Sequence, residues 1–308
     1  MGTKNTAKDY EFWLNGREYP VELFGQDLDY DKIDATDSST ASDGKEFTAG
    51  RGKRAVKIDA FLYKAEGSEL ATGTLTANTK YLVTLGTITE GAKTYAVGTI
   101  FISDGTGTAT SSNKVKPLGA TVNGKTIACT VAAATVPVTN LKFSLKYDEN
   151  DATDSSSSAD LKEFVLGRGE RTSTIEMIQT KEDADLLSSA PTAKAVVFTF
   201  DTGVTISGNA VFTKKGGLTA SSKSDLVKVS YDLSWVGVPT LTGLNLIPAN
   251  TPGTTKLVYA KGASTDKAYS GTGVISGYDI SADSTKGENI KVNYTLLFNG
   301  TVTETVAN

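Results

Sequence analysis

Two runs of carboxylates spaced by three, Asp31, Asp34 and Asp37, and Asp148, Asp151 and Asp154, are the residues of this chain most suggestive of chemistry. Oxygen ligands in such numbers are what a calcium ion takes. An EF-hand loop, however, presents them at alternate positions and closes with a bidentate glutamate, and neither feature is present. The runs therefore read as solvated loop carboxylates. The phrase Gly50-Arg51-Gly52-Lys53-Arg54 carries charge enough to meet phosphate. Its second occurrence, GRGER at 167–171, replaces the lysine with glutamate, and no aromatic stacking platform accompanies either. Gly271-Thr272-Gly273 resembles a phosphate loop only in its glycines, because it opens a strand and not a helix. No histidine occurs among the 308 residues, which removes Ser-His-Asp and Cys-His catalysis, His-ligated zinc and the usual neutral-pH proton shuttle. The single cysteine, Cys129, excludes an intrachain disulfide and sits in the apolar run TIACTVAAA, where it reads as a small buried hydrophobe. No carboxylate pair stands in a recognisable acid–base arrangement. The expectation is a chain without catalytic residues, metal or cofactor.

The elements that carry these residues are repeated. Residues 30–54 (YDKIDATDSSTASDGKEFTAGRGKR) align without a gap on 147–171 (YDENDATDSSSSADLKEFVLGRGER), with most positions identical. Further on, 207–240 align without a gap on 270–303. With the first repeated piece called the front half and the second the back half, the order is front (10–64), a unique stretch (66–137), front (138–180), back (193–240) and back (253–303). The simplest interpretation is nesting: the middle copy is continuous, and the outer copy is split around it. A tandem order would instead require a degraded back half inside 66–137, where TATSSNK is a faint echo of LTASSKS.

Composition favours strands. Thr, Ser, Val and Ala abound, Gly is plentiful, Pro is scarce and long amphipathic stretches are absent, which points to an all-β protein. Net charge is −4, against a dedicated nucleic-acid face. No apolar run is long enough for a membrane helix, and the N-terminal MGTKNTAKDYEFW lacks a signal-peptide core, so a cytoplasmic product is expected. In such a product the glycosylation patterns at Asn293 and Asn299 are chance matches. Val229, Tyr231, Leu233 and Trp235 alternate with Lys228, Ser230, Asp232 and Ser234. Val292, Tyr294, Leu296 and Phe298 alternate in the same way with Lys291, Asn293 and Thr295. Period two predicts strands buried on one face, with the last aromatic of each run as a core anchor and Gly237 or Gly300 bending or ending the strand. Ile58 and Ile175, and Ala60 and Met177, are matched strand positions. The Ser/Asp/Thr-rich stretches between the front strands read as long hairpin arms. Thr180-Lys181-Glu182-Asp183 has the form of a capping box and predicts one short helix before Pro191. The unique stretch alternates at Tyr81, Val83 and Leu85 and reads as a small inserted β module.

A strand, the phrase DATDS, a polar arm, Lys-Glu-Phe, a glycine with charged neighbours and a second strand resemble the major tail tube proteins of long-tailed bacteriophages. Both features of that pattern occur twice, at Asp34-Ala35-Thr36 with Phe47 and Gly50, and at Asp151-Ala152-Thr153 with Phe164 and Gly167. The resemblance covers the repeats, about two thirds of the chain, and not 66–137. It implies two tube-like β-sandwich or barrel domains, one nested in the other, with one short helix and the inserted module. The domains are then 1–64 (domain 1, front), 65–137 (module), 138–242 (domain 2) and 243–308 (domain 1, back). It further implies a virion protein, assembled in the host cytoplasm, whose rings stack into a tube through which DNA is ejected. Single-domain members form rings of six, so a two-copy chain suggests three chains with pseudo-sixfold symmetry. The implied partners are other copies of the chain, the tape measure, the tail-tip initiator and the tail terminator, with DNA only in transit and no membrane. The arms would reach a neighbouring ring, so Asp31, Asp34, Thr36, Asp37, Asp148, Asp151, Thr153 and Asp154 would meet Arg51, Arg54, Arg168 and Arg171. A secretion-machine tube or a surface adhesin or pilus-like subunit are the alternatives.

Overall fold

The computed structural model describes residues 10–34, 47–136, 138–154, 162–178, 192–216, 227–259 and 266–307. The chain opens with β1 (Glu11–Leu14), β2 (Arg17–Tyr19), β3 (Leu23–Asp34) and β4 (Phe47–Phe61). A run of shorter strands follows: β5 (Tyr63–Lys64), β6 (Gly73–Thr74), β7 (Lys80–Leu85), β8 (Thr87–Glu90), β9 (Lys93–Ala96), β10 (Ile100–Ile102), β11 (Thr108–Ala109) and β12 (Lys114–Pro117). Next come β13 (Ala128–Val131), β14 (Ala134–Val136), β15 (Val138–Asp151), β16 (Phe164–Ile178), β17 (Lys194–Asp201), β18 (Val204–Lys215) and β19 (Lys228–Thr242). Last are β20 (Leu244–Asn245), β21 (Gly253–Tyr259), β22 (Asp266–Asp283) and β23 (Lys291–Ala307). The fold is all-β. The capping-box segment expected to be helical lies outside the described residues.

One sheet of 14 strands dominates. Its pairing contains the same seven-strand pattern twice. In one unit the order is β14-β13-β17-β18-β19-β16-β15; in the other it is β2-β1-β21-β22-β23-β4-β3. Unit 2 is continuous in sequence. Unit 1 takes β1–β4 from before unit 2 and β21–β23 from after it.

The shared pattern places one further segment. The hairpin β13–β14 belongs to the large sheet, paired with β17 as β1 is paired with β21. This moves 128–136 out of the inserted module, where sequence alone had put it, and into unit 2. The hairpins match position for position. Asn15 and Gly16 turn the first with φ of 52° and 76°, and Ala132 and Ala133 turn the second with φ of 47° and 72°. Pro20 and Pro137 follow at equal distance. The kinship is hard to read because apolar strand residues interchange freely and the second turn lacks the Asn-Gly signal.

The core follows the expected alternation. Val229, Tyr231, Leu233 and Trp235, with Val292, Tyr294, Leu296 and Phe298, are all buried, as are Ile58, Ile175, Ala60 and Met177. Trp235 is the anchor that its position suggests. Its ring meets Phe198 and Phe143 edge-on at 5.4 and 6.0 Å, and its Nε1 donates to Ser173 Oγ at 2.9 Å. Gly237 and Gly300 adopt φ of +77° and +68°, each inside a register irregularity, so they bend β19 and β23 without ending them.

The module, 63–122, has its own small core of Leu75, Tyr81, Val83, Ile88, Phe101, Ala109 and Val115. Leu82 is buried as well and Leu85 is exposed, so the alternation expected for β7 holds only at Tyr81 and Val83. β7 is the middle strand of its three-stranded sheet, and its two end residues, Lys80 and Leu85, are exposed. The two ends of the module lie side by side: Lys64 N donates to Ala120 O at 2.9 Å and Gly67 N to Pro117 O at 2.9 Å. The module rests on β2, through Glu18 N to Gly98 O, Ile100 N to Glu18 Oε2 and the Arg17–Glu66 ion pair.

Candidate assembly interface

The two units are joined by their backbones. β15, the last strand of unit 2, pairs antiparallel with the second half of β22, from Asn140 opposite Asp283 to Lys146 opposite Gly277. The first half of that same edge of β22 carries β21, and a register irregularity between Ile275 and Gly277 separates the halves. The joint is therefore heterologous: a terminal strand of one unit meets an inner strand of the other. Backbone approach is close here, since a Cβ on Gly277 would stand 2.5 Å from Leu145 O. Side chains reinforce the joint. Asp279 accepts from Ser144 Oγ at 2.5 Å and pairs with Lys142 at 3.2 Å.

Beyond the paired strands, the base of the second arm seats on unit 1. Phe164 packs with Val274 and Leu297 in a separate apolar cluster, flanked by Ala55 and Leu166. Asn299, beside the bend at Gly300, clasps the Phe164 backbone by accepting from its N–H at 3.2 Å and donating to its carbonyl at 3.0 Å. Lys162 N donates to Gly52 O at 2.8 Å, Lys53 pairs with Glu149, and the Lys53 ammonium lies over the Phe164 ring at 5.5 Å. Leu297 is buried on the face that sequence alternation assigns to solvent. Its cover comes from the other unit, which no local pattern encodes.

The residues singled out from sequence fall around this joint. Asp151 Oδ1 accepts from Thr153 N at 3.0 Å, Thr153 Oγ1 accepts from Glu163 N at 2.8 Å, and Asp151 pairs with Lys162 at 3.3 Å. Thr153, through its hydroxyl and its amide, with Lys162 behind them, holds the Asp151 carboxyl below its usual range. The DATD phrase thus closes the base of an arm. Arg51 Nη1 donates to the Asp154 carbonyl at 2.9 Å, so this contact between a basic phrase and an acidic one runs through backbone and links the units. Arg54 lies over the Tyr269 ring at 5.3 Å, and Arg171 donates to Gly169 O at 3.1 Å. Asp148 and Arg168 are exposed. Asp31 and Asp34 belong to β3, while Thr36 and Asp37 lie outside the described residues.

Among the described residues no group of three or more Cys, Asp or Glu could hold a metal ion. Cys129 is fully buried, and burial pushes its thiol up to about 12, far from a thiolate nucleophile at neutral pH. Gly271-Thr272-Gly273 lies within β22, paired on both sides by β21 and β23. No family model matches this chain, and no curated protein matches it.

Proposed function

We propose that this chain is a structural subunit whose work is to polymerise. Copies join into rings, three chains giving six equivalent units, and the rings stack into the tail tube of a long-tailed bacteriophage through which DNA passes. The observation that carries this reading is the joint between units. Two copies of one fold are already linked edge to edge, head to tail, and a head-to-tail contact used once can be used again until a ring closes. Two supports come from the chain's chemistry. The duplicated DATDS, Lys-Glu-Phe and glycine phrases resemble those of tail tube proteins, and the net charge of −4 suits a lumen that must let phosphate slide. The arms beyond Asp34 and Asp154 would contact the next ring, and tape measure, initiator and terminator proteins would set the length and ends of the tube. Negative-stain electron microscopy of the purified protein at high concentration tests this. Hollow tubes or stacked rings are the expected result. A species that stays monomeric even with a tail-tip initiator complex added would overturn it.

A further inference from the structure

Two features of the chain fall outside its repeat, and each occurs once: the module, and the segment between β20 and β21. In that segment Ile247 N donates to the Tyr294 hydroxyl at 3.3 Å and Asn250 N to Ile275 O at 2.9 Å, which fixes it across the core side of the joint. Between it and the end of β19 runs a groove of 240 Å³, lined by Phe143, Tyr278, Leu241 and Leu246, with Val238, 73% exposed, beside them. Arg171 stands in the same groove. Its Nη1 donates to Gly169 O, and no carboxylate pairs with it among the described residues. A half-buried guanidinium without a counter-ion, next to apolar side chains, suits a carboxylate brought by a partner. At that size the groove takes a side chain and not a small-molecule ligand. The repeat does not reproduce it: Thr301 stands at the position of Val238, and Arg54, at that of Arg171, lies over Tyr269.

The module carries the complement. Ile102 ends β10 and is 57% exposed; Asp104, two residues on, is exposed as well, while Ser103 between them is buried. Both therefore stand on one side of the chain. Of the exposed large hydrophobic residues described, Ile102 is the one followed two positions on by a carboxylate. The tip they form is held by Glu90, itself buried, which accepts from Ser103 Oγ at 2.5 Å, Asp104 N at 3.1 Å and Gly107 N at 3.2 Å. A buried carboxylate is costly unless it is well bonded, and the three bonds of this one go to residues 103–107. The shape of the tip is thus set before any partner arrives. Thr106 donates to Asp104 Oδ1 through its hydroxyl at 2.6 Å and its amide at 2.8 Å. These bonds hold the Asp104 carboxyl below its usual range, ionised at neutral pH, and leave Oδ2 open.

We propose that this tip docks in the groove of a neighbouring copy, Ile102 entering beside Val238 and Asp104 pairing with Arg171. The proposal rests on the reading of the chain as a self-assembling subunit, and it gives the module a task in that assembly. Tip and groove match in number, one of each per chain, where the sheets are present twice. They are different patches, so the contact is head to tail and passes from copy to copy. It adds to the contacts that build the ring and does not replace them, so a chain without the module still assembles, less tightly.

Substitution with rescue tests the docking, under the conditions in which the wild type assembles. Ile102→Glu should weaken chain–chain association, measured by sedimentation velocity, about five-fold or more. Asp104→Arg and Arg171→Asp should each do the same, and the two together should restore it, because the contact again holds one charge of each sign. Ile102→Cys with Val238→Cys should give interchain disulfides on oxidation, and Ile102→Cys with Leu23→Cys should not; buried Cys129 can stay in place. Should the Arg171 variant fail to fold, the Ile102 variants decide, since that side chain is exposed and Glu90 still holds the loop. Association undisturbed by Ile102→Glu, folded charge reversals that do not rescue one another, or absence of the Ile102–Val238 disulfide would overturn the docking and leave the self-assembly reading standing. A wild-type chain that stays monomeric at every concentration, with a tail-tip initiator complex added as well, would overturn both.

Discussion

Glu176 accepts from Lys228, Thr139 and Asn140 at 2.9–3.0 Å, and these contacts, Lys228 foremost, hold its carboxyl below the ordinary 4.5. A group lowered on folding adds stability that is complete above 4.5 and is lost as pH falls through the lower folded value. Glu176→Gln should therefore flatten the acid side of the stability curve. At neutral pH it should cost less than about 1 kcal/mol, because both partners are partly solvated. Urea titrations of both proteins between pH 3 and 7 (roughly the span of carboxylate titration) check this. Phe164 is a different kind of residue. It is buried at the joint between units, so Phe164→Ala should cost about 3 kcal/mol. The loss should be local: hydrogen exchange should quicken along β15 and the second half of β22, and little along β18 and β19. Equal loosening of all four strands would mean that Phe164 serves the general core and not the joint.

At the scale of the element, period-two alternation was enough to place β19 and β23, because each buries one face locally against its own unit. The repeat made β3 and β15, and β4 and β16, legible as equivalents. Two things stayed hidden. Leu297 is covered by a strand from the other unit, a contact of long sequence separation that leaves no periodic trace. The β13–β14 hairpin shares only a proline and a valine with its counterpart beyond the pattern of apolar residues, so it merged with the module. Its turn yields a prediction. Ala132 and Ala133 both occupy the left-handed region, where Asn15 and Gly16 stand in the equivalent turn. Replacing the two alanines by Asn-Gly should stabilise the protein by about 1–2 kcal/mol, since the strain of the left-handed region falls chiefly on residues with a Cβ. A raised urea midpoint is the readout, and an unchanged one would show that the turn relaxes in solution.

Across the whole molecule, sheet edges decide the behaviour. An open edge is a hazard for a monomer and a connector for an assembly. The module covers β2, the outer edge of unit 1, and no module covers the matching β14 of unit 2 among the described residues. Because its ends are hydrogen-bonded to one another, residues 68–116 should be replaceable by a tight turn joining Gly67 to Pro117 with the large sheet intact. The shortened chain should fold and still assemble, read by circular dichroism and electron microscopy; loss of the fold would make the module part of unit 1. Cutting as far as residue 137 would fail for another reason, since it removes β13 and β14. On the proposed reading, a chain of two units joined head to tail gives a ring of three chains. Native mass spectrometry of the smallest closed species is the most direct test. Three chains of 32.3 kDa are expected, each supplying two of six equivalent units. A closed species of two chains would contradict this reading, because it supplies four units where the proposed ring holds six.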